Sequence, residues 1–321
     1  MKSIKYLKKR IFEAYEQKDW SLIRELINID EIKYPTIPDF ETLGISLTSL
    51  NKNVNIGPKN PYLSAKKSDF DIGEKLGSGS LGKIYLVKYK PTQEVMAMKI
   101  MDKRKINTEE IKKLVENEIK IHSQIKNPNI VEFYGHFEDE LNIYLLLEYC
   151  PGVDLYSIEK KLGKLSATEI KKYLIPVVEA LIYLKSKNII HRDIKPENIL
   201  VCSNNIKLAD FGAATYLKPG EKLYDPRGTP DYISPEIVTG NGYDYSTDIW
   251  SLGALIYDLA VGNPPFDDIT RKLTYRKIVN IDYTIPGWVN PKISDLIKDI
   301  LVKDPVKRPS LEFILNKLKN I

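Results

Sequence analysis

Around Asp154 the hydrophobic pattern of the chain changes period, and this change constrains the fold more than any other feature. Before it, from Ser68, apolar residues come in short runs, "DFDIGEKL", "KIYLVKYK", "EVMAMKIM", "NIVEFYGHF" and "NIYLLLEYC". Runs of this length and alternation read as strands with one buried face. A single helical stretch, Glu109–Gln124, interrupts them. After Asp154 the spacing is helical, as in "SATEIKKYLIPVVEALIYLKSK", "STDIWSLGALIYDLAVG" and "KISDLIKDILVK". The expectation is an α+β fold with two lobes: a small sheet-rich lobe over residues 68–150 with one main helix, and a larger, mostly helical lobe over 151–321. With 321 residues, 43% of them hydrophobic, the chain can bury cores of that size.

Residues 1–67 read differently. Ile4, Leu7, Ile11 and Tyr15 recur at helical spacing, as do Leu22, Ile23, Leu26 and Ile27, with Asp19 or Ser21 as an N-cap between them. The spacing predicts a helical hairpin. From Tyr34 to Pro61 the text is turn-rich and reads as an extended linker. The hairpin's apolar stripe must be covered, either by the small lobe or by a partner. The start "MKSIKYLKKR" lacks the apolar core of a signal peptide, and no apolar run reaches the roughly 18 residues of a membrane helix. Cys150 and Cys202 give neither a disulfide framework nor a metal spacing, which fits a reducing compartment. The net charge of +5 is spread along the chain among acidic residues and does not point to direct nucleic-acid binding.

"LGSGSLGKI" holds Gly77, Gly79 and Gly82 as G-x-G-x-x-G between two expected strands. Glycine lets backbone approach a phosphate closely, although a plain flexible hairpin would read the same. A dinucleotide fold would need a helix directly after the glycines, and "KIYLVKYK" is strand-like. Lys99, on the third strand, follows alternating apolar residues under this loop. Its natural partner is Glu118 on the following helix, and such a pair would hold Lys99 on the α- and β-phosphates of ATP.

"HRDIKPENIL" narrows the reading. Asp193 can accept the proton of an attacking hydroxyl, Lys195 can neutralise a transferring phosphoryl group, and Asn198 can ligate a metal. "ADFG" adds Asp210 as a second, hard oxygen ligand suited to Mg²⁺. Four such motifs in this order do not arise as chance loops.

On these motifs the sequence resembles the eukaryotic protein kinases over residues 69–318. "SPE" (234–236), Asp248 in "STDIWSLG" and Arg308 in "KRPS" resemble later landmarks, and the resemblance implies an Arg308–Glu236 salt bridge. "KPEN" with Thr229 in "RGTPDY" resembles serine/threonine kinases. "DFDIGEKLGSGSLGKIYLVK", "NEIKIHSQIKNPNIVEFYGHF" and "IYLLLEYCPG" are similar to Aurora kinases in particular. The resemblance implies an ATP pocket roofed by Leu76, Ile84 and Ala97 and floored by Leu200. Leu147 would be its gatekeeper, and the backbone of Glu148 and Cys150 would bond adenine. It makes His122, Phe133, His191 and Phe211 a packed stack. It puts Asp154, Glu197 and Asp258 around the substrate channel, where carboxylates receive substrate arginines; Asp154 could serve the ATP ribose instead, and three acids on a helical lobe could simply be solvated. Basic phosphorylation motifs, an activator protein on the small lobe, a monomeric kinase domain and a mitotic role in cytoplasm and nucleus, at spindle or centrosome, are implied in the same way. Membrane attachment is not. Another basophilic kinase group, or a scaffold without chemistry, would share parts of this pattern.

In "EKLYDPRGTPDYISPE", Asp225 falls where the resemblance puts an activating threonine, with Tyr224 beside it. A phosphate there would draw in Arg192 and a second arginine before Glu118, but this chain has Asn117 at the second position. A carboxylate carries less charge than a phosphate, so Asp225 could pair with Arg192 alone and order the loop without phosphorylation. "DP" could equally begin a turn, and Tyr224, Tyr216 or Thr215 could be the switch.

Overall fold

The alternating runs form one five-stranded antiparallel sheet. In this computed structural model, residues 62–79, 81–202 and 205–321 are described. The helical hairpin and the Tyr34–Pro61 linker expected within 1–67 lie outside them. The strands are β1 (Phe70–Ser78), β2 (Gly82–Tyr89), β3 (Val95–Asp102), β4 (Phe133–Glu138) and β5 (Asn142–Glu148), in the order β1-β2-β3-β5-β4. The run "NIVEFYGHF" becomes strand only in its second half. Its first half leaves the sheet because Val131 N–H donates to Leu208 O at 3.0 Å and Leu208 N–H to Asn129 O at 2.8 Å. Helix α1 (Glu109–His122) starts where the Thr108 side chain accepts from the Ile111 N–H, and it buries Val115, Glu118, Ile121 and His122.

The second lobe opens with β6 (Gly152–Asp154), α2 (Leu155–Leu162) and α3 (Ala167–Ser186). Ser166 and Glu169 cap α3 reciprocally. Short strands follow: β7 (Ile189–Ile190), β8 (Ile199–Cys202), β9 (Ile206–Leu208) and β10 (Thr215–Tyr216). They form a β6-β8-β9 sheet and a β7-β10 pair. Then come α4 (Pro235–Thr239), α5 (Ser246–Val261), α6 (Arg271–Asn280), α7 (Pro291–Ile300) and α8 (Leu311–Lys319). From Thr247 to Ala260 every residue of α5 is buried. A helix apolar on all sides belongs in a core, and around α5 the other helices build the lobe. Arg308 locks α4 to this core: its two terminal nitrogens donate to Glu236 at 2.6 and 2.7 Å, and its guanidinium lies 5.0 Å from the Trp250 ring centroid. Among the described residues no helix is long and apolar enough to cross a membrane.

Candidate active site

Lys99 reaches Glu118 at 2.5 Å and Asp210 at 3.4 Å. The sheet and α1 create this meeting, because β3 carries Lys99 inward and Glu118 is on the buried face of α1. Burial by itself would lower the lysine's proton affinity, but the two carboxylates outweigh it and hold Lys99 charged. For Asp210 burial opposes ionisation, while Lys99 and the Gly212 N–H favour it and keep its pKa below the usual value. The Asp210 side chain remains 42% exposed. Its backbone sits at φ 61°, a region non-glycine residues seldom adopt.

The loop that carries Asp193, residues 191–198 and here called the catalytic loop for the acid-base chemistry expected of Asp193, is tied down from beneath. Asp248 on α5 accepts the backbone N–H groups of His191 and Arg192, both at 2.8 Å. Asp193 then meets Lys195 at 2.8 Å and accepts the Thr229 hydroxyl at 2.7 Å, while Lys195 also donates to Thr229 at 2.8 Å. Asn198 spends its amide N–H groups on Asp193 O (2.8 Å) and Oδ2 (3.1 Å), which leaves its amide oxygen as the group for a cation. Among the described residues no three His, Cys, Asp or Glu side chains cluster as a metal site. Asp210 and Asn198 are instead two hard oxygen donors, and they fit an ion that keeps water and phosphate oxygens in its shell.

The glycine loop joins β1 to β2, with Gly79 N–H donating to Gly82 O at 2.9 Å. Gly82 has a packing reason of its own: a Cβ there would lie 2.8 Å from Ile100 O. Gly77 and Gly79 have open space around them. Leu76 is on β1, Ile84 opposite Lys99 on β2, Ala97 opposite Leu147 across β3 and β5, and Leu200 opposite Asp154 across β8 and β6. Sequence reasoning missed how the segment after β5 is braced. Lys207 on β9 holds the Glu148 carboxylate at 2.9 Å and the Pro128 carbonyl at 2.9 Å; a buried lysine in a three-residue strand carries no sequence signature.

Phe133, His122, Phe211 and His191 stack in that order, with centroids 5.4, 4.6 and 5.1 Å apart. Burial pushes the His122 pKa down to about 4, so its ring is neutral and packed.

The three acids expected around a substrate channel divide. Asp154 caps α2, accepting the Ser157 N–H at 2.6 Å. Glu197 is exposed in the turn after Lys195. Asp258 is only 2% exposed, because α5 runs through the core, and the Tyr232 hydroxyl donates to it at 2.5 Å. Arg192 reaches Asp225, as detailed below. Tyr224 is 69% exposed, with its ring over Gly242.

The protein kinase domain family matches residues 70–318. An Aurora kinase of Yarrowia lipolytica is 42% identical over 246 residues, 76% of this chain and 66% of that protein. Aurora kinases of Schizosaccharomyces pombe (41%, covering 77% of this chain and 70% of that protein) and Candida glabrata (39%, 83% and 75%) are similar. The match thus spans just under two thirds of the Y. lipolytica protein and 61% of an Aurora kinase from Debaryomyces hansenii.

Proposed function

The chain belongs to the protein kinase family, among the Aurora serine/threonine kinases, and we propose that it transfers the γ-phosphoryl group of Mg-ATP to serine and threonine hydroxyls of proteins. The observation that carries this reading is the Asp193–Lys195–Thr229 cluster. A hydroxyl, that of Thr229, already donates to Asp193 at 2.7 Å with an ammonium 2.8 Å away. A substrate hydroxyl in the same relation would give its proton to Asp193, while Lys195 offsets charge on the phosphoryl group. Lys99, kept charged and aimed by Glu118, orients the phosphates of ATP. Mg²⁺, held by Asp210 and Asn198, would supply further neutralisation of phosphate charge. Catalysis on this account is positioning and electrostatics.

The same reading extends to Arg-Arg-x-Ser/Thr-like substrates, an activator protein on the sheet-rich lobe, a monomeric kinase domain, and a role in cell division in cytoplasm and nucleus, at spindle or centrosome. Family membership supports these. It extends also to an activation loop ordered by Asp225, supported by the Arg192–Asp225 contact. The test is phosphate transfer by purified protein to an arginine-containing peptide with Mg-ATP. Transfer that needs a divalent cation supports the reading, and a preference for acidic or proline-directed peptides would overturn its specificity part.

A further inference from the structure

Two carboxylates are buried side by side where α2 and α5 approach the catalytic loop. Glu159 on α2 and Asp258 on α5 are each 2% exposed. Asp258 Oδ2 takes the Tyr232 hydroxyl, but Asp258 Oδ1 and Glu159 Oε2 are buried and have no hydrogen-bond partner among the described residues. Burial raises the pKa of both groups, Asp258 up to about 7, and each is raised further by neighbouring acids: Glu159 and Glu197 act on Asp258, and Glu197 acts on Glu159. Among the described residues one cation reaches this pair. Lys160 lies 3.5 Å from Glu159 Oε1, but its side chain is 53% exposed and its ammonium sits 4.8 Å from the Tyr156 ring centroid. Buried acceptors without donors are rare and need an account. Nothing in the packing of α2 requires a carboxylate at this place, where an apolar side chain would bury at lower cost.

We propose that Glu159, together with Asp258, seats one arginine guanidinium of the protein substrate, which makes Glu159 a specificity-determining residue. The inference rests on the reading that substrates carry arginines near the phosphorylated residue. A guanidinium offers five N–H donors in a planar fork, enough to reach both orphaned oxygens at once. Without substrate, a proton shared within the pair stands in for that charge. Entry of the guanidinium releases the proton and displaces the flexible Lys160 side chain, and Glu197 adds negative charge at the edge. A lysine, with a compact ammonium, would satisfy the two oxygens less well.

The test is kcat/KM on an Arg-Arg-x-Ser peptide and on versions with each arginine replaced in turn by citrulline or lysine. Wild-type protein should lose about tenfold or more at each citrulline, as expected for a charge-assisted pair. In Glu159→Gln and Glu159→Leu the arginine-to-citrulline ratio should collapse to about threefold or less at one position and persist at the other. Each ratio is internal to a variant, so it does not depend on the active fraction. Both ratios staying within about twofold of wild type would overturn the role of Glu159 while leaving the basic-substrate reading intact. A wild-type protein indifferent to citrulline at both positions would overturn the basic-substrate reading itself, and the seat with it. If neither variant folds, the wild-type protein decides: arginine should exceed lysine by about tenfold at one position, and equal rates would contradict the seat.

Discussion

Arg192 Nη1 lies 3.0 and 2.9 Å from the two carboxylate oxygens of Asp225. The arginine side chain is 3% exposed and the carboxylate 45%, so the contact joins the floor of the catalytic loop to the surface of the loop above it. Tyr243 completes it. Its hydroxyl accepts from Arg192 at 2.9 Å and donates to the Asp225 carbonyl at 2.7 Å, and its backbone exchanges two hydrogen bonds of 2.9 Å with Leu223. The carboxylate does not pair with Arg192 alone: Arg227, two residues on in the same loop and more exposed, also donates from Nε to Asp225 Oδ2 at 3.3 Å. Two arginines and the Tyr243 hydroxyl thus surround Asp225, of which Arg192 is the buried one. Gly228, a few residues on, makes the approach feasible: at φ 111° a side chain would be strained, and a Cβ would lie 2.8 Å from Arg192 O.

Asp193→Asn and Lys99→Ala should each lower phosphoryl transfer by on the order of 10³-fold or more, since each removes charge or position needed in the transition state. Thermal unfolding of Asp193→Asn should stay near that of the parent protein. Near-normal turnover of purified Asp193→Asn would contradict the mechanism.

Arg308→Ala should destabilise the protein by about 3–5 kcal/mol, because it leaves the buried Glu236 carboxylate without its paired donors. Urea unfolding measures this directly. A loss under about 1 kcal/mol would mean that the pair contributes little to the hold between α4 and α5.

His122 should make stability depend on pH. Its folded pKa, about 4, is below the unfolded value of about 6.5, so the unfolded chain binds the extra proton between them. The contribution is fully present above about pH 6.5 and is lost as pH falls toward 4, by about 3 kcal/mol in all. Unfolding free energies at pH 7 and pH 4.5 should therefore differ less in His122→Met than in wild type. An unchanged difference would show that the ring is not held neutral.

Much of the architecture was legible because periodicity reports burial. The switch at Asp154 separates the sheet from the helices, and the strand limits move by only a few residues, except in "NIVEFYGHF", where backbone pairing to β9 pulls Asn129–Val131 out of the sheet. The motif residues Lys99, Glu118, Asp193, Asn198 and Asp210 were legible because their chemistry is unusual at such spacing. That Asp258 is buried against the Tyr232 hydroxyl was not legible, since a sequence does not tell which neighbour a residue of a wholly buried helix meets. Glu159, Lys207 and Tyr243 gave no signal. Tyr243 meets Arg192 across 51 residues of chain and Lys207 meets Pro128 across 79, while Glu159 stands out by a missing partner, and none of these is a local pattern.

The most direct test of the activation-loop account is turnover of protein treated with phosphatase and verified as unphosphorylated, measured beside Asp225→Ala. The account predicts that the treated wild-type enzyme keeps most of its activity. Asp225→Ala should lose about tenfold or more, the scale of a hydrogen-bonded charge pair. Complete loss in the phosphatase-treated wild type, or full activity in Asp225→Ala, would contradict it.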